Sequence, residues 1–369
     1  MMHHRSTARK NTPTATGRPW VWAGLDTHAD SHTLAILDAG GGVITTRTFP
    51  TDQAGIDELV TALDSSGVTA VGIECTASYG ATAAQALQDA GHKVLEVNGG
   101  HNRPRRRRVG KTDALDAIDA ARAVMSGTGS PVKSPTGPGA ALRPLRTARR
   151  AVIKARCQAI NTIRSLLLIA PAPLRRAGAG TPSPSWAARL ADAAADLDGP
   201  DADLGAAITA LARAVSRAYD DATNLTRRIN RIITQAAPAL LDIQGVAAIT
   251  AADLLIAVGD NPQRLRSEAS FAALAGTAPV PIRSGHSNHH RLSRGGDRAL
   301  NRAIHTIVMV RKRRDATTRA YIQAHTAKGM TNRDITRRLK RAVARNLHHA
   351  LKQALNNPTY HPTTLTPTT

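Results

Sequence analysis

From residue 20 the chain falls into short apolar and β-branched runs, 20–26, 33–37 and 43–49, the last two separated by Gly40-Gly41-Gly42. Such runs bounded by turn residues predict a three-strand meander. Ile56, Leu59, Val60 and Leu63 then recur at helical spacing, and 69–73 is a short apolar run of the buried, parallel kind. A second helix over 81–90 and a fifth strand over 92–97 follow. Two strand-helix-strand units behind a meander predict a mixed α/β sheet with both faces covered. A helix beginning at Asp113 and running to about Met125 closes this region.

Residues 127–141, with Pro131, Pro135 and Pro138 among them, read as a linker that ends a first domain spanning 20–126. A helical region, 142–236, comes next. One helix covers 142–169, and 171–185 is a Pro/Gly/Ser-rich connector. Leu204, Ile208, Leu211, Val215, Ala218, Ala222, Leu225, Ile229 and Ile232 then alternate steps of four and three, a heptad seam that predicts a coiled coil. The periodicity fits pairing between subunits and pairing with the 142–169 helix equally well. A third domain, 237–355, is mainly helical and opens on a helix-hairpin-helix pattern turning at Gly245, where backbone N–H groups at a helix N-terminus can meet a phosphate. Pro279-Val280-Pro281 is a break, and Ile282 to Ser287 together with His289 and His290 form a polar loop. The basic glycine turn from Arg291 to Asp297 opens a helix over 298–311, and a last basic helix covers 331–355. The ends, 1–19 and 356–369, are polar tails without the apolar content to bury themselves.

Charge narrows the class of partner. The 369 residues carry a formal net charge of +22, far more than solubility needs, and this points to a polyanion such as nucleic acid. Aromatic residues make up 2% of the chain, so a reader that stacks many bases is excluded and backbone contacts should dominate. Arg103, Arg105, Arg106, Arg107, Arg108 and Lys111 form a basic run, with Arg283, Arg291, Arg294 and Arg298 as further phosphate ligands late in the chain. Cys75 and Cys157 stand apart, so neither a disulfide framework nor a structural zinc site is expected. With no secretory segment and no apolar run long enough to cross a bilayer, the sequence predicts an intracellular protein.

Acidic residues are scarce, and four of them are placed for chemistry. Asp113 and Asp116 are neighbours on one helix face. Two anions about 4 Å apart repel by roughly 4 kcal/mol at an effective dielectric near 20, a conflict that a divalent cation removes. Asp26 and Glu74 each stand where a strand ends, and we read the four carboxylates as one metal site beside the basic run.

The order of the acids along the sheet resembles the ribonuclease-H-like fold of Holliday-junction resolvases. The whole set, Gly24-Leu25-Asp26, Glu74 with Ser78-Tyr79-Gly80, Lys111-Thr112-Asp113-Ala114-Leu115-Asp116-Ala117, the glycine hairpin and Arg283-Ser284-Gly285, resembles the DEDD-type transposases of the insertion sequence 110 family and its pilin-inversion relatives. The resemblance implies Mg²⁺ (or Mn²⁺) held by Asp26, Glu74, Asp113 and Asp116, and Ser284 as nucleophile. It further implies donor and target DNA, a structured bridge RNA as guide, and a dimer or tetramer inside a prokaryotic cell, at the nucleoid when active. Two rival readings compete. A resolvase-like nuclease would use water and leave free ends, and a nucleic-acid scaffold would cut nothing.

Overall fold

The computed structural model describes residues 20–97, 112–284, 287–292, 296–357 and 360, with the backbone alone for 281–284 and 287–292. The chain divides into two compact units, Met1–Lys133 and Ser134–Thr369.

The first unit is a six-stranded mixed sheet. Strands β1 (Trp22–Thr27), β2 (Ser31–Leu37) and β3 (Val43–Pro50) form the antiparallel meander. Helix α1 (Gln53–Ser66), β4 (Ala70–Ile73), α2 (Ala81–Asp89) and β5 (Val94–Glu96) follow, with β4 parallel to both β1 and β5. Helix α3 (Asp113–Met125) and a short β6 (Ser130–Pro131) complete the order β3-β2-β1-β4-β5-β6.

Each face of the sheet has its own core. Leu25, Leu34, Ile36, Val71 and Ile73 pack with Ile56, Leu59 and Leu63 of α1 and Leu87 of α2. On the other side Ala35 and Leu37 meet Ala117, Ile118 and Ala121 of α3. Local signals set the helix ends. The Asp52 carboxylate accepts from the Gly55 N–H at 2.9 Å, and α1 stops at Gly67 in the left-handed region. Thr112 caps α3 by accepting from the Leu115 N–H at 3.3 Å, and Asp113 and Asp116 lie in its first turn, where the helix dipole favours anions.

The second unit is mostly helical. It contains α4 (Pro138–Leu166), α5 (Ala172–Ala177), α6 (Pro184–Ala195), α7 (Ala202–Ala236), α8 (Ala248–Val258), α9 (Glu268–Leu274), a ribbon of β7 (Pro279–Ser284) and β8 (Ser287–Leu292), and helices α10 (Arg298–Arg314), α11 (Ala316–Ala327) and α12 (Asn332–Asn356). Helix α7 packs along α4 and α6 of the same chain, so the seam is satisfied internally. Its Ile208, Val215, Ala222 and Ile229 are buried at seven-residue spacing, whereas Leu204, Leu211, Leu225 and Ile232 are half-buried and Gly205, Ala212 and Ile233 lie deeper. A straight helix at 3.6 residues per turn drifts off a strict heptad, and this moves the contact one position along. A larger core joins Ile229 and Ile233 to Leu254, Phe271, Ile304, Ile307, Val343 and Leu347.

Several expectations are corrected here. Residues 127–141 are not a plain linker: Ser130 and Pro131 pair with Glu96 and Leu95, and Pro138 opens α4, a position where proline's missing N–H costs nothing. The 171–185 connector carries α5 and the start of α6. Pro279-Val280-Pro281 is no break but the start of β7, since a two-stranded ribbon leaves alternate N–H groups without a ladder partner. The hairpin at Gly245 is preceded by a single 3-10 turn, Pro238–Leu240, rather than a full helix. Among the described residues no helix is long and apolar enough to cross a membrane.

Candidate functional site

Leu25 of β1 pairs with Ile73 of the parallel β4, so Asp26 and Glu74 stand one residue further on, at the carboxyl ends of adjacent strands. Side chains alternate between faces, which puts Asp26 on the side of Gly24 and Glu74 on the side of Gly72. That is the face covered by α3. The helix lies so close that a Cβ on Gly24 would stand 2.1 Å from the Ala117 carbonyl oxygen, and one on Gly72 would stand 2.6 Å from that of Ala120. Glycine at both positions lets α3 seat, with its acid-bearing first turn at the end of the sheet where Asp26 lies.

Glu74 is held by its surroundings. Its N–H donates to the Leu25 carbonyl at 3.4 Å, and the Thr27 hydroxyl donates to its carbonyl at 3.1 Å. Cys75 follows with φ of 54°, a left-handed non-glycine backbone, and its carbonyl accepts from the N–H groups of Ser78 and Gly80 at 2.8 and 3.2 Å. The Ser78-Tyr79-Gly80 motif is therefore the turn that carries the chain from Glu74 into α2.

Asp26 and Asp116 are buried, 6% and 4% exposed; Glu74 is half-buried and Asp113 exposed. Between Asp26 and Asp113 stands His28. Its Nδ1 is 3.7 Å from Asp26 Oδ2 and its Nε2 is 3.9 Å from Asp113 Oδ1. One ligand atom from each of the three lies within 4.8 Å of the others, a spacing and donor set that fit a divalent cation. The field at this end of the sheet is negative. Burial first, and then the charges of Glu74, Asp26 and Glu96, push the Cys75 thiol up. The structure thus brings Asp26 and Asp113 together, places Asp116 in the same helical turn and Glu74 on the neighbouring strand end, and adds His28. Sequence reasoning gave His28 no role, since it lies past the end of β1 in the turn to β2, where strand alternation does not fix its direction.

The remaining candidates are less fully described. Arg103, Arg105, Arg106, Arg107, Arg108, Lys111 and Arg294 lie outside the described residues, as do His286 and Ser293. Ser284 is the last residue of β7, opposite Ser287, while Arg283 pairs with Asn288 and Arg291 with Val280; their side chains lie outside the description. Ser284 therefore ends a strand instead of sitting in an irregular loop. Arg298 opens α10 and is exposed, with Asp297 capping the helix by accepting from Ala299 and Leu300 N–H at 2.7 and 3.0 Å. Gly245, at φ of 89°, faces its own chain: a Cβ there would stand 3.0 Å from the Ile307 carbonyl oxygen, and Arg311 Nε donates to the Gln244 carbonyl at 2.8 Å. This glycine has a packing reason of its own.

Known sequences bear on the site. The DEDD transposase model of IS110, described as a transposase, matches residues 23–170, which include all four acids. The model described as transposase of the IS116/IS110/IS902 family matches residues 237–323, which include Ser284. The chain is 27% identical to the insertion element IS900 uncharacterized 42 kDa protein of Mycobacterium paratuberculosis, over 94% of this chain and 98% of that protein. It is 31% identical to the insertion element IS110 uncharacterized 43.6 kDa protein of Streptomyces coelicolor, over 37% of this chain and 35% of that one.

Proposed function

This chain belongs to the IS110 family of transposases, whose substrate is DNA, and from that membership we propose that it cuts and rejoins DNA strands through Ser284, with a divalent cation held by Asp26, Glu74, Asp113 and Asp116. The observation that carries the reading is the convergence of Asp26 and Asp113 around His28 at the carboxyl end of β1. The strand order, an antiparallel meander followed by parallel β4 and β5, supports a ribonuclease-H-like fold for the first unit.

In this reading the Ser284 hydroxyl forms a bond to phosphorus as the phosphorus–oxygen bond to the neighbouring sugar breaks. The phosphoserine conserves the bond energy, and its reversal by a sugar hydroxyl rejoins strands without ATP. Serine is a poor nucleophile at neutral pH. A bound Mg²⁺ or Mn²⁺ supplies Lewis acidity that activates a hydroxyl and balances charge on the leaving oxygen. The four carboxylates hold and orient that ion. Arg103, Arg105, Arg106, Arg107, Arg108, Lys111, Gly245, Arg283, Arg291, Arg294 and Arg298 would contact phosphates, in keeping with the net charge of +22. A bridge RNA supplies the target choice that so few aromatic residues leave to the protein, and the enzyme acts as a dimer or tetramer inside a prokaryotic cell.

Denaturing gels of protein incubated with its element's DNA test the chemistry. Ser284→Ala should abolish a covalent protein–DNA adduct and keep DNA binding, whereas an undiminished adduct removes Ser284 from the reaction. Asp113→Asn should weaken both metal binding and cleavage. Cleavage that persists in chelator refutes the metal reading.

A further inference from the structure

We propose that His28 is a nitrogen ligand of the ion at the Asp26/Asp113 corner and that it turns this centre toward Mn²⁺ and similar transition ions over Mg²⁺. The inference rests on the metal reading above and goes beyond its four carboxylates.

His28 is held in place by the backbone. It closes the tight β1–β2 hairpin, its N–H donating to the Ser31 carbonyl at 3.0 Å. The hairpin tip is pinned in turn, because the Thr51 hydroxyl donates to the Ala29 carbonyl at 3.0 Å. Just past the end of β1, the ring lies between Asp26 of β1 and Asp113 of α3.

The three side chains are spaced as neighbouring ligands are. At 3.7 and 3.9 Å the ring nitrogens are too far from the carboxylate oxygens for hydrogen bonds. One nitrogen of His28 and one carboxylate oxygen from each of Asp26 and Asp113 lie within 4.8 Å of one another, close to the separations of about 3.0 to 4.2 Å between ligands held about 2.1 Å from a six-coordinate ion. The side chain is 45% exposed, which leaves the ring room to present one nitrogen. Mg²⁺ is hard, gives up water reluctantly and prefers oxygen, whereas imidazole favours first-row transition ions. A carboxylate tetrad alone gives no such bias. The imidazole supplies it.

Pulsed EPR of the full-length protein loaded with Mn²⁺ reads the ligand directly, since a coordinated imidazole nitrogen modulates the electron spin echo. The wild type should show that modulation. His28→Gln should lose it and bind Mn²⁺ at least about tenfold more weakly, the lower end of what even outer-shell substitutions cost, with little change in Mg²⁺ affinity. Mn²⁺ bound without nitrogen modulation overturns the inference and leaves the carboxylate site standing. Modulation that survives in His28→Gln also overturns it. Wild-type protein that binds no Mn²⁺ at all overturns both readings.

Discussion

Gly24→Ala changes one hydrogen for a methyl on β1, yet it should weaken the metal binding proposed above. The added Cβ would stand 2.1 Å from the Ala117 carbonyl oxygen and 2.2 Å from the Ala121 nitrogen, where ordinary contact begins at 3.4 Å. Both obstacles are backbone, so no side chain can swing aside. Helix α3 must retreat by about 1.3 Å or tilt by an equivalent amount. Overpacking of this kind costs about 1–3 kcal/mol. The larger effect is on the site, because α3 carries Asp113 and Asp116 while β1 carries Asp26 and leads directly into His28. A constellation must hold to about 0.5 Å, and a misplacement near 1 Å costs on the order of 100-fold in rate. We expect Mn²⁺ affinity by calorimetry to fall at least about tenfold and strand cleavage about 100-fold, with the circular dichroism spectrum preserved. Gly40→Ala is the control. Its Cβ would meet only the Asp38 carboxylate, at 3.4 Å, and surface substitutions of this kind stay within about 0.5 kcal/mol. Unchanged melting and metal affinity in Gly24→Ala would refute the argument that helix seating builds the site.

The second unit offers two further tests. Arg146 and Asp253 form a buried pair at 2.8 Å joining α4 to α8, so Arg146→Met alone should cost about 3–5 kcal/mol in urea melts, whereas Arg146→Met with Asp253→Leu should come close to wild type. A single variant as stable as the parent would show that the pair is not structural. Glu268 joins α9 to α12: the His349 hydrogen bond first, and the Arg345 and Arg341 charges after it, hold its carboxyl below the usual range. A depressed carboxyl contributes stability that is present above its unfolded value and lost as the pH falls through the folded one. Hydrogen exchange in α9 should therefore quicken in that acid window, and Glu268→Gln should remove the dependence.

Much of the first unit could be read in advance because its signals are local. The 53–66 helix carries its own cap in Asp52 and its own stop in Gly67, and the short apolar run at 70–73 has no alternative to a buried strand. Ser130 and Pro131 could not be read, because a two-residue strand has no periodicity and exists through its partner, β5. The proline pair at 279 and 281 misled for a related reason: proline forbids a central strand and tolerates a ribbon, and only the tertiary structure separates the two. Helix α11 was missed because just one of its residues, Thr318, is buried, which leaves no apolar stripe to detect. The places of the four acids at element ends were legible, and two of them, Asp26 and Asp113, come together. His28 was not legible, since a histidine in a turn carries no signal until the hairpin fixes its direction.

The repulsion between Asp113 and Asp116 is weaker than their spacing alone suggests. Asp113 is exposed, so water screens its repulsion from Asp116, and both acids gain about 0.3–1 kcal/mol from the dipole of α3. The pair on α3 alone would therefore be an ordinary helix start. What is not ordinary is that Asp26 and His28 from one segment and Asp113 from another meet within 4.8 Å, with Glu74 on the neighbouring strand end. The β1–β2 hairpin directs His28, and two glycines admit α3 against β1 and β4. Cys75 holds a left-handed backbone directly after Glu74, at a cost of about 1–3 kcal/mol that a glycine there would avoid. Packing explains the glycines and the hairpin geometry explains the turn, but neither requires that each segment end in a side chain able to ligate a metal. Close approach beside the buried Asp26 and Asp116 and strain beside the half-buried Glu74 are what the proposed metal site would account for together.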